Sequence, residues 1–485
     1  MNDPHSLDAS PAGTEPVPHH RRPPPSLALD PPPPAPDHEP EIAPERLDPE
    51  AVKVVSRLHH VGHEAYFVGG CVRDLLLGRT PKDFDIATDA HPGEVRAVFR
   101  NCRLIGRRFR LAHVYFRGGK IVEVATFRKN PVDVLEDVGA ESDLLITRDN
   151  VFGTAQEDAV RRDFTVNGLL YDVFAGRVID HVGGRADLEA HRIATIGDPE
   201  IRMREDPVRA LRAIRFAARL GFAIEPETFA AMRRHAGEIA RCAPPRVLEE
   251  ILKILRCGGA ARAFELLRSS GALTVTLPAL ATALDADGEE PRRRFQAHLA
   301  ALDALVRSGE EVSDAVLLGT LLMHLGHAGA PAHGTPGGAE ALLRELVQTA
   351  RLPRRIAERI RLALQAQRHL RGPPQRRRRG RGLAGQLYFA DALQLLAVTV
   401  KANGEGAEDL ARWQAARSRP HEDGQPQAGG PEGFGPEPGG APPAKAEAVP
   451  PDEHGRRRRR RRGGRRRRHR GAGPGVAPPA GAAPA

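Results

Sequence analysis

Residues 67–74 read Phe-Val-Gly-Gly-Cys-Val-Arg-Asp, and Asp-Phe-Asp follows at 83–85. The apolar residues before the glycines predict a short strand, and the apolar spacing over Cys71–Leu77 predicts a helix that a glycine ends. Gly69 and Gly70 therefore lie where a strand passes into the first turn of a helix. Backbone N–H groups and the helix dipole at such a turn can hold a phosphate group.

Asp83 and Asp85 belong to a second predicted strand, Asp83–Thr88. Alternate residues of a strand point to one face, so both carboxylates are directed at the same place. Two carboxylates beside a phosphate-binding turn are the arrangement that binds Mg²⁺ for phosphoryl or nucleotidyl transfer. A glycine pair alone is commonly an ordinary turn, and a lone Asp-x-Asp a solvated strand edge. The two motifs together favour the functional interpretation.

The run Gly-Gly-Cys-Val-Arg-Asp-Leu-Leu-Leu-Gly at 69–78, with Asp-Phe-Asp at 83–85, resembles the signature of class II template-independent nucleotidyltransferases. This family contains the bacterial poly(A) polymerases and the tRNA CCA-adding enzymes, and the resemblance extends from about Asp48 to Pro278. It implies an α+β fold, in which a nucleotidyltransferase head with a small mixed β-sheet precedes an all-α neck and body. It also implies a two-metal Mg²⁺ site at Asp83 and Asp85, and phosphate binding by Gly69, Gly70, Arg73 and Arg162.

A second motif, Arg-Arg-Asp-Phe-Thr-Val-Asn, occupies residues 161–167. The planar guanidinium of Arg162 could hold a triphosphate, and Asp163 could complete the acidic cluster as a catalytic carboxylate. Asn167 carries a donor and an acceptor suited to a ribose or a base. The structural alternative is an exposed basic helix start that Asp163 caps. The motif closely resembles one of the same family, which favours the functional interpretation.

Glu123 is the one acidic residue in the predicted strand Lys120–Phe127. If that strand lies beside Asp83–Thr88, Glu123 could be a third carboxylate near the metals. A cross-strand pair with a nearby arginine accounts for it equally well.

Glu205-Asp206-Pro207 opens a predicted helix that carries Arg209, Arg212 and Arg215. By spacing alone Asp206 is a helix cap, and the arginines form a solvated face. The resemblance implies instead that Asp206 and Arg209 read the incoming base in place of a template. It places Arg212 and Arg215 near the nucleotide.

The chain has 485 residues, a formal charge of +10, 43 prolines and 49 glycines, with 4% aromatic residues. The positive charge predicts polyanionic partners. Four scattered cysteines without a Cys-x-x-Cys pair are typical of buried thiols in a reducing compartment. Because no long apolar run is present, we expect a soluble, cytoplasmic protein.

Composition and periodicity predict five segments: a disordered proline-rich tail (1–46), the head (47–182), a helical neck (183–280), a helical body (281–417), and a disordered Gly/Pro/Arg-rich tail (418–485). The resemblance implies that the neck contains the nucleotide-selecting and RNA-binding helices. Residues 456–470 contain twelve arginines, which predict a salt-sensitive RNA-binding arm; a solubilising tail is the alternative. This arm includes Arg456, Arg457, Arg458, Arg465 and Arg466. His324, His327 and His333 lie among glycine, alanine and proline, which favours a loop over a metal site.

The resemblance implies transfer of AMP from ATP to RNA 3′ ends, with release of pyrophosphate. Within the family, the segment Arg-Leu-Ile-Gly-Arg-Arg-Phe-Arg-Leu-Ala-His-Val at 103–114 and the arginine-rich tail favour poly(A) addition, as in mRNA polyadenylation. The alternatives are CCA addition to tRNA and a non-catalytic RNA-binding protein on a transferase fold. Expected partners are RNA 3′ ends and ATP, with RNA-decay or RNA-chaperone proteins as further candidates.

Overall fold

The computed structural model describes residues 39–106, 110–129, 151–286, 288–325, 338–371 and 383–418. The arginine-rich arm, His327, His333 and most of the proline-rich tail lie outside these residues, and so does the side chain of His324.

The head contains a mixed seven-stranded sheet with the order β3-β4-β5-β2-β1-β6-β7. Its strands are β1 Ala65–Val68, β2 Asp85–Thr88, β3 Cys102–Ile105, β4 Leu111–Tyr115, β5 Ile121–Thr126, β6 Leu170–Asp172 and β7 Arg177–Ile179. Neighbouring strands are antiparallel, except that β2 and β5 are parallel. The predicted mixed sheet is therefore confirmed. The second strand begins at Asp85, so Asp83 precedes it rather than belonging to it.

The helices of the head are α1 Pro49–His60, α2 Gly70–Leu76, α3 Pro92–Val98, α4 Ala155–Val160 and α5 Gly184–Glu189. The first helix begins as its sequence predicts, with the Asp48 carboxylate accepting hydrogen bonds from the N–H groups of Glu50 and Ala51. α1 and α3 pack against the sheet. They cover one face, where Val122 and Val124 of β5 are buried. Ile121 and Glu123 alternate with these valines and lie on the opposite, exposed face.

Residues 39–46 belong to the head, although their composition predicts a tail. Ile42 is 2% exposed within the core. The N–H of Glu41 donates to the carbonyl of Gly176 beside β7, and Arg46 donates to the carbonyl of Leu75. One apolar anchor and these backbone contacts order a short segment that has no periodic pattern of its own.

Beyond the head, the described residues are helical apart from the short parallel pair β8 Arg192–Ile193 and β9 Ala223–Ile224. Next come α6 Pro199–Glu205, α7 Val208–Leu220, α8 Pro226–Arg234, α9 Pro244–Leu255, α10 Ala260–Ser269, α11 Ala272–Thr276 and α12 Pro278–Ala286. The last six are α13 Glu289–Arg307, α14 Asp314–Leu325, α15 Gly338–Gln348, α16 Arg354–Leu370, α17 Phe389–Asn403 and α18 Ala407–Ser418. Among the described residues, none of the helices is long and apolar enough to cross a membrane.

Candidate active site

The glycine turn connects β1 to α2 and requires glycine for two reasons. Gly69 has φ +73°, and a Cβ atom there would lie 2.8 Å from Nη1 of Arg162. The N–H of Gly69 donates to the carbonyl of Leu169, so Gly70 offers the first N–H of the turn. Because α2 has only seven residues, its dipole is small, and the Arg162 guanidinium adds a positive charge directly against the turn.

Asp158 holds Arg162 in this position. Its Oδ2 accepts hydrogen bonds from Nε and Nη2 of Arg162, at 3.2 and 2.9 Å, which leaves Nη1 beside Gly69. Its Oδ1 accepts from Nε of Arg161 and from the N–H of Arg128. Burial alone would raise the pKa of Asp158, but the two guanidinium groups lower it below its usual value. Asp158 therefore stays charged and orients Arg162 rigidly.

Asp85 and Glu123 are direct neighbours across the parallel pair β2–β5. Although Asp85 is exposed along one side, desolvation by the surrounding protein raises the pKa of its carboxyl to about 6. The negative charges of Glu123 and Asp83 contribute in the same direction, and the positive charge of Arg162 opposes them. The strand register therefore brings Glu123 to the acidic pair, and Arg162 lies within electrostatic reach.

This crowding predicts a pH-dependent gain of stability when the charge of Asp85 is removed. Above about pH 6 the folded protein carries an unfavourable carboxylate, whereas below the ordinary pKa of 3.8 the group is protonated in both the folded and the unfolded protein. We expect Asp85→Asn to raise the free energy of unfolding at pH 8 by about 1 kcal/mol, a value discounted for solvent exposure. The difference should disappear near pH 4. Thermal melts of both proteins across this range measure it, and a gain that is equal at both pH values would contradict the assignment.

The Asp163 carboxylate is engaged by α7 and by its own motif. Its Oδ2 forms an ion pair with Arg212 of α7, and its Oδ1 accepts hydrogen bonds from Nδ2 of Asn167 and the N–H of Phe164. Burial would raise the pKa of Asp163, but the Arg212 charge and these hydrogen bonds lower it. The strand register places Glu123 beside Asp85, whereas the partners of the Asp163 carboxylate are Arg212, Asn167 and the N–H of Phe164. The geometry therefore favours Glu123 as the third carboxylate.

Arg73 is 2% exposed and belongs to the same internal network. It donates to Asp74 through Nε and Nη2, and to Oδ1 of Asn167 through Nη1 at 2.6 Å. Asp74 also pairs with Arg219 of α7. This placement does not favour the predicted direct contact between Arg73 and a phosphate. The network instead fastens α7 to the glycine turn.

Three arginines, one from α2 and two from α7, surround one aromatic ring. The guanidinium carbons of Arg73, Arg212 and Arg215 lie 5.2, 5.7 and 4.3 Å from the ring centroid of Phe216. Glu250 of α9, which is buried, pairs with Arg215 at 3.0 Å. The ring and the carboxylate together stabilise a concentration of positive charge at the edge of the site.

Asp206 and Arg209 are both paired with other protein groups. Asp206 lies between α6 and α7 and accepts two hydrogen bonds from Arg246 of α9, at 2.8 and 2.6 Å. Arg209, which is 7% exposed, donates from Nη1 to Glu205 and to the carbonyl of Arg202. Asp206 follows α6 and does not cap α7 through its side chain, so the capping alternative is wrong.

The carboxylates can bind a divalent cation whose remaining ligands come from substrate phosphates and water. Among the described residues, no group of three His, Cys, Asp or Glu side chains could hold a metal ion by itself. Mg²⁺ is commonly bound by one or two carboxylates together with substrate phosphates and water. The like-charge crowding at Asp85 is relieved by a cation, so the donor set fits such an ion.

Three residues of the site have roles that the sequence analysis missed. They are Asp158, which orients Arg162, and Glu205 and Glu250, which pair with arginines of α7. The i,i+4 spacing of Asp158 to Arg162, and of Glu205 to Arg209, is a signal that could have identified two of them. Glu250 is far from its partners in sequence and left no such signal.

Two regions match known families. Residues 65–194 match the poly A polymerase head domain, and residues 221–284 match a region described as "Probable RNA and SrmB- binding site of polymerase A". The sequence is 44% identical to poly(A) polymerase I of Salmonella typhi over 288 residues, which are 57% of this chain and 60% of that protein. Both matched regions are therefore similar to parts of the poly(A) polymerases, which are class II nucleotidyltransferases. The recognition made from the sequence is confirmed.

The chain is also similar to CCA-adding enzymes, both in sequence and in structure. The CCA-adding enzyme of Geobacillus stearothermophilus is 39% identical over 248 residues, which are 51% of this chain and 57% of that protein. The chain thus spans less than two thirds of the length of either relative. The crystal structure of the Bacillus stearothermophilus CCA-adding enzyme in complex with CTP superposes with a TM-score of 0.58 at 28% identity, covering 76% of this chain and 82% of that one.

Proposed function

We propose that this chain is a template-independent polynucleotide adenylyltransferase, which transfers AMP from ATP to the 3′-hydroxyl of RNA and releases pyrophosphate. One observation carries the proposal: a crowded carboxylate pair, Asp85 and Glu123, faces a guanidinium group, Arg162, that lies against the glycine turn. A nucleoside triphosphate needs both elements, because its phosphates require a positive contact and its metal requires acidic ligands.

Asp83 and Asp85 are the metal ligands of this proposal, and Glu123 is the third carboxylate. Two Mg²⁺ ions bound there would polarise the 3′-hydroxyl and offset the charge of the triphosphate. The parallel register places Glu123 beside Asp85, and Asp83 precedes the strand within electrostatic reach. Asp163 acts indirectly in this scheme, by holding Arg212 and Asn167.

Arg162 and the N–H of Gly70 would contact the phosphates. Asp158 occupies Nε and Nη2 of Arg162, which fixes the direction of Nη1 before the substrate arrives. Arg73 and Asn167 lie behind the turn and support it through their mutual hydrogen bond. Such preorganised donors stabilise charge that develops during the reaction without reorganising at that moment.

Asp206 and Arg209 are the residues we propose for reading the base. The partner of Asp206, Arg246, is exposed, so a base edge can replace it at small cost. The buried Glu205 carboxylate forms an ion pair with Arg209 and positions its guanidinium group. Arg212 and Arg215 add positive charge at the same edge, close to where the phosphates are expected.

RNA is the proposed second substrate, bound by the neck region 183–280 and by the arginine arm at 456–470. The match of residues 221–284 to an RNA-binding region supports the first part, and the arginine content of the tail supports the second. The division into a head (47–182), neck, body (281–417) and two tails belongs to the same proposal, with the head extended to include residues 39–46 and α5. The cellular role would be mRNA polyadenylation, an RNA-processing step.

CCA addition to tRNA is the second candidate. The superposition on a CCA-adding enzyme over 76% of this chain favours it. The higher identity to a poly(A) polymerase, 44% against 39%, over a longer matched region favours poly(A) addition.

Nucleotide choice separates the two candidates. With a generic RNA and each nucleoside triphosphate supplied separately, we expect extension with ATP into a run of A and poor use of CTP. The preference should be about ten- to a hundredfold, the discrimination that one or two well-placed hydrogen-bonded pairs provide. Arg209→Ala should reduce this ratio, and labelled products resolved by length measure it.

A tRNA that lacks its 3′ end provides the opposing test. Addition of two C residues and one A, followed by arrest, would contradict poly(A) addition and favour the second candidate. RNA binding without Mg²⁺-dependent release of pyrophosphate, in a preparation with a normal thermal transition, would contradict both.

A further inference from the structure

A cross-strand row extends from the acidic pair towards the edge of the sheet. The register pairs Asp85 of β2 with Glu123 of β5, Glu123 with His113 of β4, and His113 with Arg103 of β3. Directly paired residues share one face of a sheet, and neighbouring strands lie about 4.8 Å apart. His113 is therefore one strand beyond Glu123, on the face that carries the carboxylates.

His113 contacts Glu123 directly. Its Nε2 lies 3.2 Å from Oε1 of Glu123, and the His113 side chain is 18% exposed whereas that of Glu123 is 49% exposed. The two atoms lie within ion-pair distance, so a proton on Nε2 is attracted to the carboxylate. The contact involves Oε1 of Glu123, and the second carboxylate oxygen, Oε2, takes no part in it.

Tyr115 and Arg103 lie beside His113 on the same face of the sheet. The Tyr115 ring lies 6.4 Å away between centroids, and the Arg103 guanidinium lies 5.5 Å from the Tyr115 ring centroid. Arg103 thus stacks on the tyrosine, and Glu123 is the carboxylate that His113 contacts.

We propose that His113 is a positioning residue, which holds the Glu123 carboxylate in the orientation that the metal-binding site requires. This inference rests on the proposed function, in which Glu123 is the third carboxylate. A half-exposed glutamate samples many rotamers, and repulsion from Asp85 favours those that turn away. The imidazole on the far side of Glu123 attracts the carboxylate at 3.2 Å and so favours rotamers on its side, as outer polar contacts do for metal-ligating side chains elsewhere.

The test uses two substitutions that differ in one property. His113→Phe keeps an aromatic ring on the strand but removes the donor, whereas His113→Gln places an amide N–H near the position of Nε2. We expect His113→Phe to lower kcat about 10- to 100-fold while the KM for ATP changes little, because the phosphate contacts of Arg162 are intact. His113→Gln should restore most of the lost kcat.

Binding of Mn²⁺ alone gives a readout that does not depend on turnover. Electron paramagnetic resonance of the full chain with Mn²⁺ as the probe should show weaker binding in His113→Phe and near-normal binding in His113→Gln. Arg103→Ala is the matched control: it lies next in the row but stacks on Tyr115, and it should leave Mn²⁺ affinity unchanged.

A double substitution decides whether His113 acts through Glu123. In a Glu123→Gln background, His113→Phe should cause little further loss, because the carboxylate it positions is absent. Full additivity, or a His113→Phe variant with wild-type kcat and Mn²⁺ affinity, would overturn the inference. Failure of the proposed function would look different, since the wild-type chain would then lack Mg²⁺-dependent AMP transfer.

Discussion

Asp85→Ala should lower the rate of AMP transfer to RNA by at least about a thousandfold. The carboxylate is the centre of the acidic cluster, and its removal takes away charge stabilisation that exists chiefly in the transition state. Its raised pKa shows that the ionised group is unfavourable in the folded protein without a cation. The thermal transition should therefore be unchanged or slightly higher. Asp83→Ala should cause a loss of comparable size.

Asp89→Ala is the matched control for this result. Asp89 follows the other end of β2, is exposed, and pairs with His63. Its removal should leave AMP transfer within about twofold of the wild type, because isolated exposed pairs contribute little to stability or function. Pyrophosphate release with labelled RNA and saturating ATP measures both variants. Near-normal turnover of Asp85→Ala would contradict the metal assignment.

Arg162→Ala should lower kcat by about 100- to 1,000-fold, the cost of removing one preorganised donor from a reacting charge. The KM for ATP should rise as well, because the same guanidinium contacts the bound triphosphate. Asp158 would keep Arg161 as a partner, so its buried charge is not left alone and the fold should survive. Steady-state kinetics over a range of ATP concentrations separate the two effects.

Arg161→Ala provides the comparison for this prediction. Arg161 shares the Asp158 carboxylate through Oδ1, whereas Nη1 of Arg162 is the atom that lies against Gly69. We expect the Arg161 variant to keep most of its turnover and the KM for ATP to stay near its wild-type value. Equal losses in the two variants would mean that positive charge near Asp158, and not the placement of one guanidinium, is what matters.

Local patterns predicted the parts of the site that lie close together in sequence. The glycine turn between β1 and α2 follows from conformational preferences of a few adjacent residues, and Gly69 has the positive φ that such a turn uses. The spacing of Asp83 and Asp85 predicts that they lie together, because alternate residues of an extended chain point in the same direction. The helical neck likewise follows from apolar spacing, as in α10, where Ala263, Phe264 and Leu267 recur at helical spacing and are buried.

Long-range pairing decided the rest. Whether Glu123 or Asp163 joins Asp85 depends on which strand lies beside β2, and the parallel β2–β5 register is a contact between segments 38 residues apart. Asp163 had the more suggestive motif, yet Arg212, 49 residues later in the chain, draws its carboxylate into an ion pair. The motif predicts that Arg73 contacts the phosphates. In the folded chain Arg73 is buried and donates hydrogen bonds to Asp74 and Asn167 instead. An ionised side chain is stabilised by the opposite charges that the folded chain brings within a few ångströms of it. A sequence motif contains only residues that are close along the chain, so it does not show which charges those are.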